Sequence, residues 1–228
     1  MNKDNLQMQK TMICLILDRS GSMASLQNDV VGGVNTFIVE QKKLPDPAIL
    51  TAVRFDSEGY GGTGVSIERF INMKNLQEVQ PITTADYVPR GGTPLLDAIG
   101  KTIRQLDHDW QEYQPDKCIV VIYTDGQENA SVEFSKSKVK QLIEARQGTG
   151  KWGFLFLGAN MDAVAEASSL GIWASNSAKY VNSGEGLSAA YSTTSDTVGM
   201  MRSTGSLKAN WGGEIKTTKE EEKTPSAK

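Results

Sequence analysis

The sequence predicts an α/β protein: a doubly wound (Rossmann-like), mostly parallel sheet with one antiparallel edge strand and helices on both faces. Three observations carry this reading. Two apolar runs, Met12 to Leu17 and Cys118 to Thr124, are too short to span a membrane, and each stops abruptly at a carboxylate, Asp18 or Asp125. Runs of this length and composition read as strands buried on both faces, as parallel strands are between two helical layers. Stretches with apolar residues at helical spacing alternate with such strands, which is the pattern of a parallel sheet. A glycine-rich loop after the second strand-like segment marks one hairpin, hence one antiparallel edge strand.

Taken in order, residues 1–10 are polar and read as a flexible lead-in to a first strand over 11–17. Leu26, Val30, Val34, Phe37 and Ile38 then mark one face of a helix that ends before Pro45-Asp46-Pro47. Ile49 to Phe55 reads as the second strand. Asp56 to Gly64 follows, with four glycines in six residues from Gly59, and connects to a third strand over 65–71. Residues 74–90 are irregular with one short helical turn. Thr93 and Pro94 open the next helix, a cap followed by proline at the first helical position, with Leu95, Ile99, Ile103, Leu106 and Trp110 on one face. After the 118–124 strand the pattern gives a helix over about 133–147, a strand from Trp152 to Leu157, and a short helix within 161–170. A last short strand lies around Lys179 to Val181. A closing helix follows, marked by Leu187, Tyr191, Thr194, Val198 and Met201. The periodicity fades after residue 203, and the Lys-, Glu- and Thr-rich residues of 204–228 are expected to be disordered. One domain over 11–203 is implied.

A chain of 228 residues is long enough to bury a core without staples. A net charge of −3 gives no case for nucleic acid or an anionic membrane as partner. No signal-peptide pattern is visible near Met1, and no apolar run approaches the roughly 18 residues of a membrane helix. Cys14 and Cys118 both lie in strand-like runs and read as buried thiols of a reducing compartment, so the expected location is cytoplasmic.

Function is concentrated where the first strand ends. Asp18, Ser20 and Ser22 alternate, so their oxygens can face one way, and Gly21 lets the chain bend between the serines. Hard oxygen donors then gather at the carboxyl end of a central strand, where open α/β sheets bind ligands. Oxygen-only donors suit Mg²⁺ better than zinc or copper.

This D-x-S-x-S stretch resembles the first segment of the metal-ion-dependent adhesion site (MIDAS) of von Willebrand factor A (VWA) domains, in the intracellular type found in bacteria and their phages. The resemblance covers roughly residues 10–203. It implies that Thr93 and Asp125 complete the metal set begun by Asp18, Ser20 and Ser22, and that the strands are ordered 3-2-1-4-5-6. It further implies bound Mg²⁺ or Mn²⁺, ahead of Ca²⁺, whose open position takes an Asp or Glu carboxylate from a protein partner, such as an ATPase or a stress-system component.

Each segment also has a plainer role. Asp18, Ser20 and Ser22 can cap the helix that follows, Thr93 is a good N-cap, and Asp125-Gly126 can be a turn. Three separate segments supplying oxygens in the same order favour the joint site. Arg19 and Arg90 are candidates for a rim that selects an acidic partner, against ordinary solvated arginines. Gln127 and Glu128 are rim candidates, against a plain polar loop.

No catalytic set assembles around these residues. The one histidine, His108, falls late in a helix, and no Ser-His-Asp or Cys-His arrangement can be built. Gly100-Lys101-Thr102 ends like a phosphate loop, but Leu95 stands where glycine is required; Gly148-Thr149-Gly150-Lys151 is followed by Trp152 and fails too. Asn129-Ala130-Ser131 matches a glycosylation sequon by chance. The function expected is a non-enzymatic, divalent-metal-dependent protein-interaction module. The alternatives are a metal-dependent phosphohydrolase or phosphotransferase with Asp18 as acceptor, and an assembly protein whose site is vestigial.

Overall fold

A computed structural model describes residues 9–57, 64–159, 161–205 and 211–215. Within them, β1 (Thr11–Asp18), α1 (Gln27–Lys42), β2 (Ala48–Ser57), β3 (Val65–Asn75), α2 (Leu95–Tyr113) and β4 (Lys117–Thr124) are followed by α3 (Lys136–Gln147), β5 (Trp152–Gly158), α4 (Ala163–Ser169), β6 (Ser177–Lys179) and α5 (Gly184–Thr204). The six strands form one sheet in the order β3-β2-β1-β4-β5-β6. All pairs are parallel except β2 with β3, which is antiparallel at the edge.

Alternation along β1 divides the core. Ile13, Leu15 and Leu17 face one layer, with Val30, Val34 and Phe37 of α1 and Leu187, Tyr191 and Val198 of α5. Met12, Cys14 and Ile16 face the other, with Ile99 and Ile103 of α2, Val139 and Ile143 of α3, and Ala167 of α4. Every residue of β1 is buried, as the apolar run demands of a central parallel strand. Cys14 and Cys118 are free, buried thiols, and burial pushes Cys14 up to about 12.

The ends of elements differ from the sequence expectation for identifiable reasons. β3 runs on to Asn75, opposite Ile49. The helix expected from Thr93 starts at Leu95, and the Thr93 hydroxyl caps nothing. Its N-terminal amides are met from another loop instead: Leu96 N–H donates to Glu128 Oε2 at 2.8 Å and Asp97 N–H to Ser131 Oγ at 3.0 Å. The helix expected from 133 starts at Lys136, because the amides of Val132, Glu133 and Phe134 turn back onto the buried Asp97 carboxylate. The last strand is Ser177–Lys179, earlier than Lys179 to Val181. The ladder ends where Lys179 faces Gly158, and Val181 lies exposed beyond it.

The expected tail from 204 also begins too early. Trp211 is 1 % exposed, and its indole N–H donates to Ser175 O at 2.8 Å. A single aromatic flanked by glycine and polar residues carries no periodicity, so nothing local marked it as core. The flexible lead-in, apart from Gln9 and Lys10, the centre of the glycine-rich loop and the chain after Ile215 lie outside the described residues.

Candidate metal centre

Asp18 ends β1 and Asp125 follows β4, so neighbouring parallel strands place both carboxylates at one edge of the sheet. Three loops converge on them and are laced together by their backbones. Gly21 N–H donates to Gly91 O (3.0 Å) and Arg90 N–H to Arg19 O (2.8 Å), joining the first loop to the second. Asn129 N–H donates to Thr93 O (3.1 Å) and Thr93 N–H to Asn129 Oδ1 (2.7 Å), joining the second to the third.

Asp18 is 1 % exposed and keeps both oxygens engaged: Oδ1 accepts from Ser20 N–H at 2.8 Å and Oδ2 from the Thr124 hydroxyl at 2.6 Å. Ser22 donates to Asp125 Oδ1 at 2.6 Å and lies 3.1 Å from the Ser20 hydroxyl. Thr93 Oγ1 lies beside Gly126, where a Cβ would stand 3.4 Å from it and 3.9 Å from Ser22 Oγ. The structure therefore brings all five predicted oxygens together. Asp18, Ser20, Thr93 and Asp125 are buried, and Ser22 is exposed at the mouth. The capping roles are not taken up: neither the short helix after Ser20 nor α2 receives a side-chain cap from this set.

Among the described residues neither carboxylate pairs with a cationic side chain. Burial pushes the Asp18 carboxyl up to about 6; the nearby Asp125 adds to this, and the Ser20 and Thr124 hydrogen bonds hold it back. Asp125 Oδ2 is buried and has no hydrogen-bond partner among the described residues. An orphaned, buried carboxylate oxygen is costly unless a donor or a cation meets it. No group of three or more His, Cys, Asp or Glu side chains converges among the described residues; this set has two carboxylates and three hydroxyls. It fits a hard, oxygen-seeking divalent ion and not a zinc site.

The rim differs from expectation at two positions. Arg19 does not face solvent: it is 4 % exposed, donates from Nε to Asp56 Oδ2 at 2.5 Å, and pairs with Glu68 at 3.0 Å. An arginine beside a buried carboxylate is drawn inward to it, and its charge is spent there. Glu128 does not point outward either. Its two oxygens accept from the amides of Leu96, Ala130 and Ser131 and from the Ser131 hydroxyl, so it fixes the third loop to α2. Arg90 is half-exposed, with Nε 2.8 Å from Asp56 Oδ1. Gln127 is exposed beside Asp125.

Sequence reasoning missed Asp56, Asp97, Tyr87 and Thr124. Asp56 carried a signal, since it is a third carboxylate closing an apolar strand. Tyr87 carried none. Its phenol donates to Asp18 O from within an irregular stretch. Burial first, then the Asp18 charge, raises this phenol well above its ordinary value, so it remains a donor.

Strand order, edge strand and helix layers decide the architecture. The fold is von Willebrand factor A-like. A solved von Willebrand factor type A protein from Catenulispora acidiphila superposes with a TM-score of 0.51 at 16 % identity, over 83 % of this chain and 42 % of that one. The pilus adhesin SpaC from Lactobacillus rhamnosus GG gives 0.62 at 15 % identity, over 85 % and 30 %. Proximal thread matrix protein 1 from the mussel byssus gives 0.56 at 14 % identity, over 85 % and 46 %. The chain thus spans less than half the length of each of these proteins. No protein-family model and no curated protein matches the sequence. The VWA-like sheet presents its cluster at the carboxyl edge, and among the described residues no helix is long and apolar enough to cross a membrane.

Proposed function

We propose that this VWA-like chain is a non-enzymatic, divalent-metal-dependent protein-interaction module of MIDAS type. Asp18, Ser20, Ser22, Thr93 and Asp125 hold Mg²⁺ or Mn²⁺, and an Asp or Glu of a partner protein completes the shell. The observation that carries the reading is the buried, unpartnered Asp125 Oδ2 within a set of three hydroxyls and a second uncompensated carboxylate. A divalent ion held here would supply positive charge against the two carboxylates, and with three neutral hydroxyls as the other donors it would keep a coordination position for an external carboxylate oxygen. The chain's own residues do the rest. Thr124 and Ser20 orient Asp18, Ser22 orients Asp125, and the laced loops fix Thr93. Exposed Ser22 leaves one side open to a partner.

A hydrolytic role would need a general base beside these ligands. His108 is exposed in the last two turns of α2, whose first turn adjoins the site. The adhesin and the thread matrix protein among the structural neighbours agree with an interaction role. A cytoplasmic setting, with an ATPase or stress-system component as partner, is the corresponding biological expectation.

A displayed random-peptide library selected on the protein in Mn²⁺ tests this. Enrichment of Asp or Glu at one fixed position, with release by EDTA and no selection on Asp18→Ala, is expected. Peptides retained in EDTA, or enriched without an acidic position, contradict it.

A further inference from the structure

Beneath the metal edge lies a group of buried tyrosines that the metal set does not use. Tyr87 comes from the irregular stretch before Gly91, and Tyr180 from the chain just after β6. They are 0 % and 1 % exposed. Their phenols reach the two strand ends that bear the carboxylates: Tyr87 donates to Asp18 O, and Tyr180 to Thr124 O at 3.2 Å. A third, Tyr191 of α5, stacks on Tyr123 with ring centroids 4.3 Å apart, and its hydroxyl has no hydrogen-bond partner among the described residues.

These carbonyls occupy sensitive places. The β1–β4 register ends with Leu17 opposite Tyr123, one residue short of Asp18. The Asp18 carbonyl thus lies past the ladder in a buried setting, where an unsatisfied acceptor is costly. Its peptide plane sets the direction in which Arg19 and Ser20 leave the strand, and Ser20 N–H in turn holds Asp18 Oδ1. The Thr124 carbonyl belongs to the peptide that leads directly into Asp125. It has a second donor, Ala159 N–H at 3.0 Å, so it depends less on its tyrosine.

We infer that Tyr87 and Tyr180 are positioning residues of the metal centre, holding the strand-end carbonyls that aim Asp18 and Asp125, with Tyr87 the more important of the two. The inference rests on the metal reading proposed above. Outer partners that orient metal ligands typically change affinity by about 10–100-fold when removed. Tyr→Phe keeps the ring in the core and deletes only the donor.

The test is Mn²⁺ affinity of the full chain by titration calorimetry, with melting in EDTA measured alongside, for wild type, Tyr87→Phe, Tyr180→Phe and Tyr191→Phe. Tyr87→Phe is expected to bind Mn²⁺ about tenfold or more weakly. Tyr180→Phe is expected to fall between it and wild type, and Tyr191→Phe to match wild type. A purely structural role would lower melting in EDTA and in Mn²⁺ equally, leaving the metal-induced shift unchanged. Mn²⁺ bound equally by wild type, Tyr87→Phe and Tyr180→Phe overturns the positioning role and leaves the metal centre standing. An equal loss in Tyr191→Phe overturns it as well. No binding by wild type overturns both. Should Tyr87→Phe not fold, Tyr180→Phe decides by the same criterion.

Discussion

Two clusters of charge lie side by side at the carboxyl edge of the sheet, and consecutive residues begin them. Asp18 opens the oxygen cluster. Arg19 turns the other way into a network with Asp56, Glu68, Arg54 and Arg90. In the second cluster each carboxylate meets guanidinium groups: Asp56 has Arg19 on one oxygen and Arg90 on the other, and Glu68 has Arg54 and Arg19. In the first, two carboxylates share hydroxyls and an amide and, among the described residues, no cation. The carboxyls respond in opposite directions. Burial lifts Asp18 to about 6. Burial also pushes Glu68 up, but Arg54, Ser66 and Arg19 together outweigh it and hold it down at about 2. The contrast separates a structural ion network from a pair of carboxylates that meets no cationic side chain among the described residues.

The largest expected effect breaks the complete cluster. Asp56→Ala leaves the buried Arg19 with only the more exposed Glu68 as partner and should cost about 3 kcal/mol in urea unfolding. Asp125→Asn, which keeps the shape and the Ser22 acceptor, should cost within about 1 kcal/mol without metal. Equal costs would erase the distinction.

Next comes pH. The Asp18 pKa is raised from its ordinary 3.8 to about 6, so the unfolded chain gives up this proton first. Metal-free stability should then be greatest below pH 4 as far as this group is concerned. It should fall as pH rises through 6, by about 3 kcal/mol, and level off above. Glu68, held low, has the reverse sign: its contribution is present above its ordinary 4.5 and is lost as pH falls toward 2. Urea midpoints across this range, compared with Asp18→Asn, read the first slope; a variant with the wild-type slope between pH 4 and 6 contradicts it.

The smallest effect is at the half-exposed Arg90. Since Asp56 keeps Arg19, Arg90→Ala should cost under about 1 kcal/mol in the same urea assay. A loss matching that of Asp56→Ala would mean the two arginines are not separable.

Much of this edge was legible in the sequence, because its signals are local. An apolar run that stops at Asp18, a D-x-S-x-S spacing and a second run stopping at Asp125 each lie within a few residues, and a parallel sheet brings them together. What sequence could not assign was direction. Whether Arg19 points to solvent or to Asp56, and whether Glu128 faces a partner or the amides of α2, depends on contacts across tens of residues. Thr93 illustrates both sides: its nearness to Ser22 across Gly126 accords with what the resemblance implied, whereas its apparent capping role gave way to Glu128 and Ser131 from a distant loop. Trp211 was missed for the same reason, as one aromatic docks on Ser175 without a periodic neighbour to announce it.

The most direct test of the central claim is unfolding of wild type and Asp18→Ala in EDTA and then in saturating Mg²⁺ or Mn²⁺. Metal at a hundred times its dissociation constant should stabilise the wild type by about 2.7 kcal/mol and leave Asp18→Ala unchanged. Identical curves with and without metal for the wild type, or an equal gain in Asp18→Ala, would contradict a metal centre at this edge.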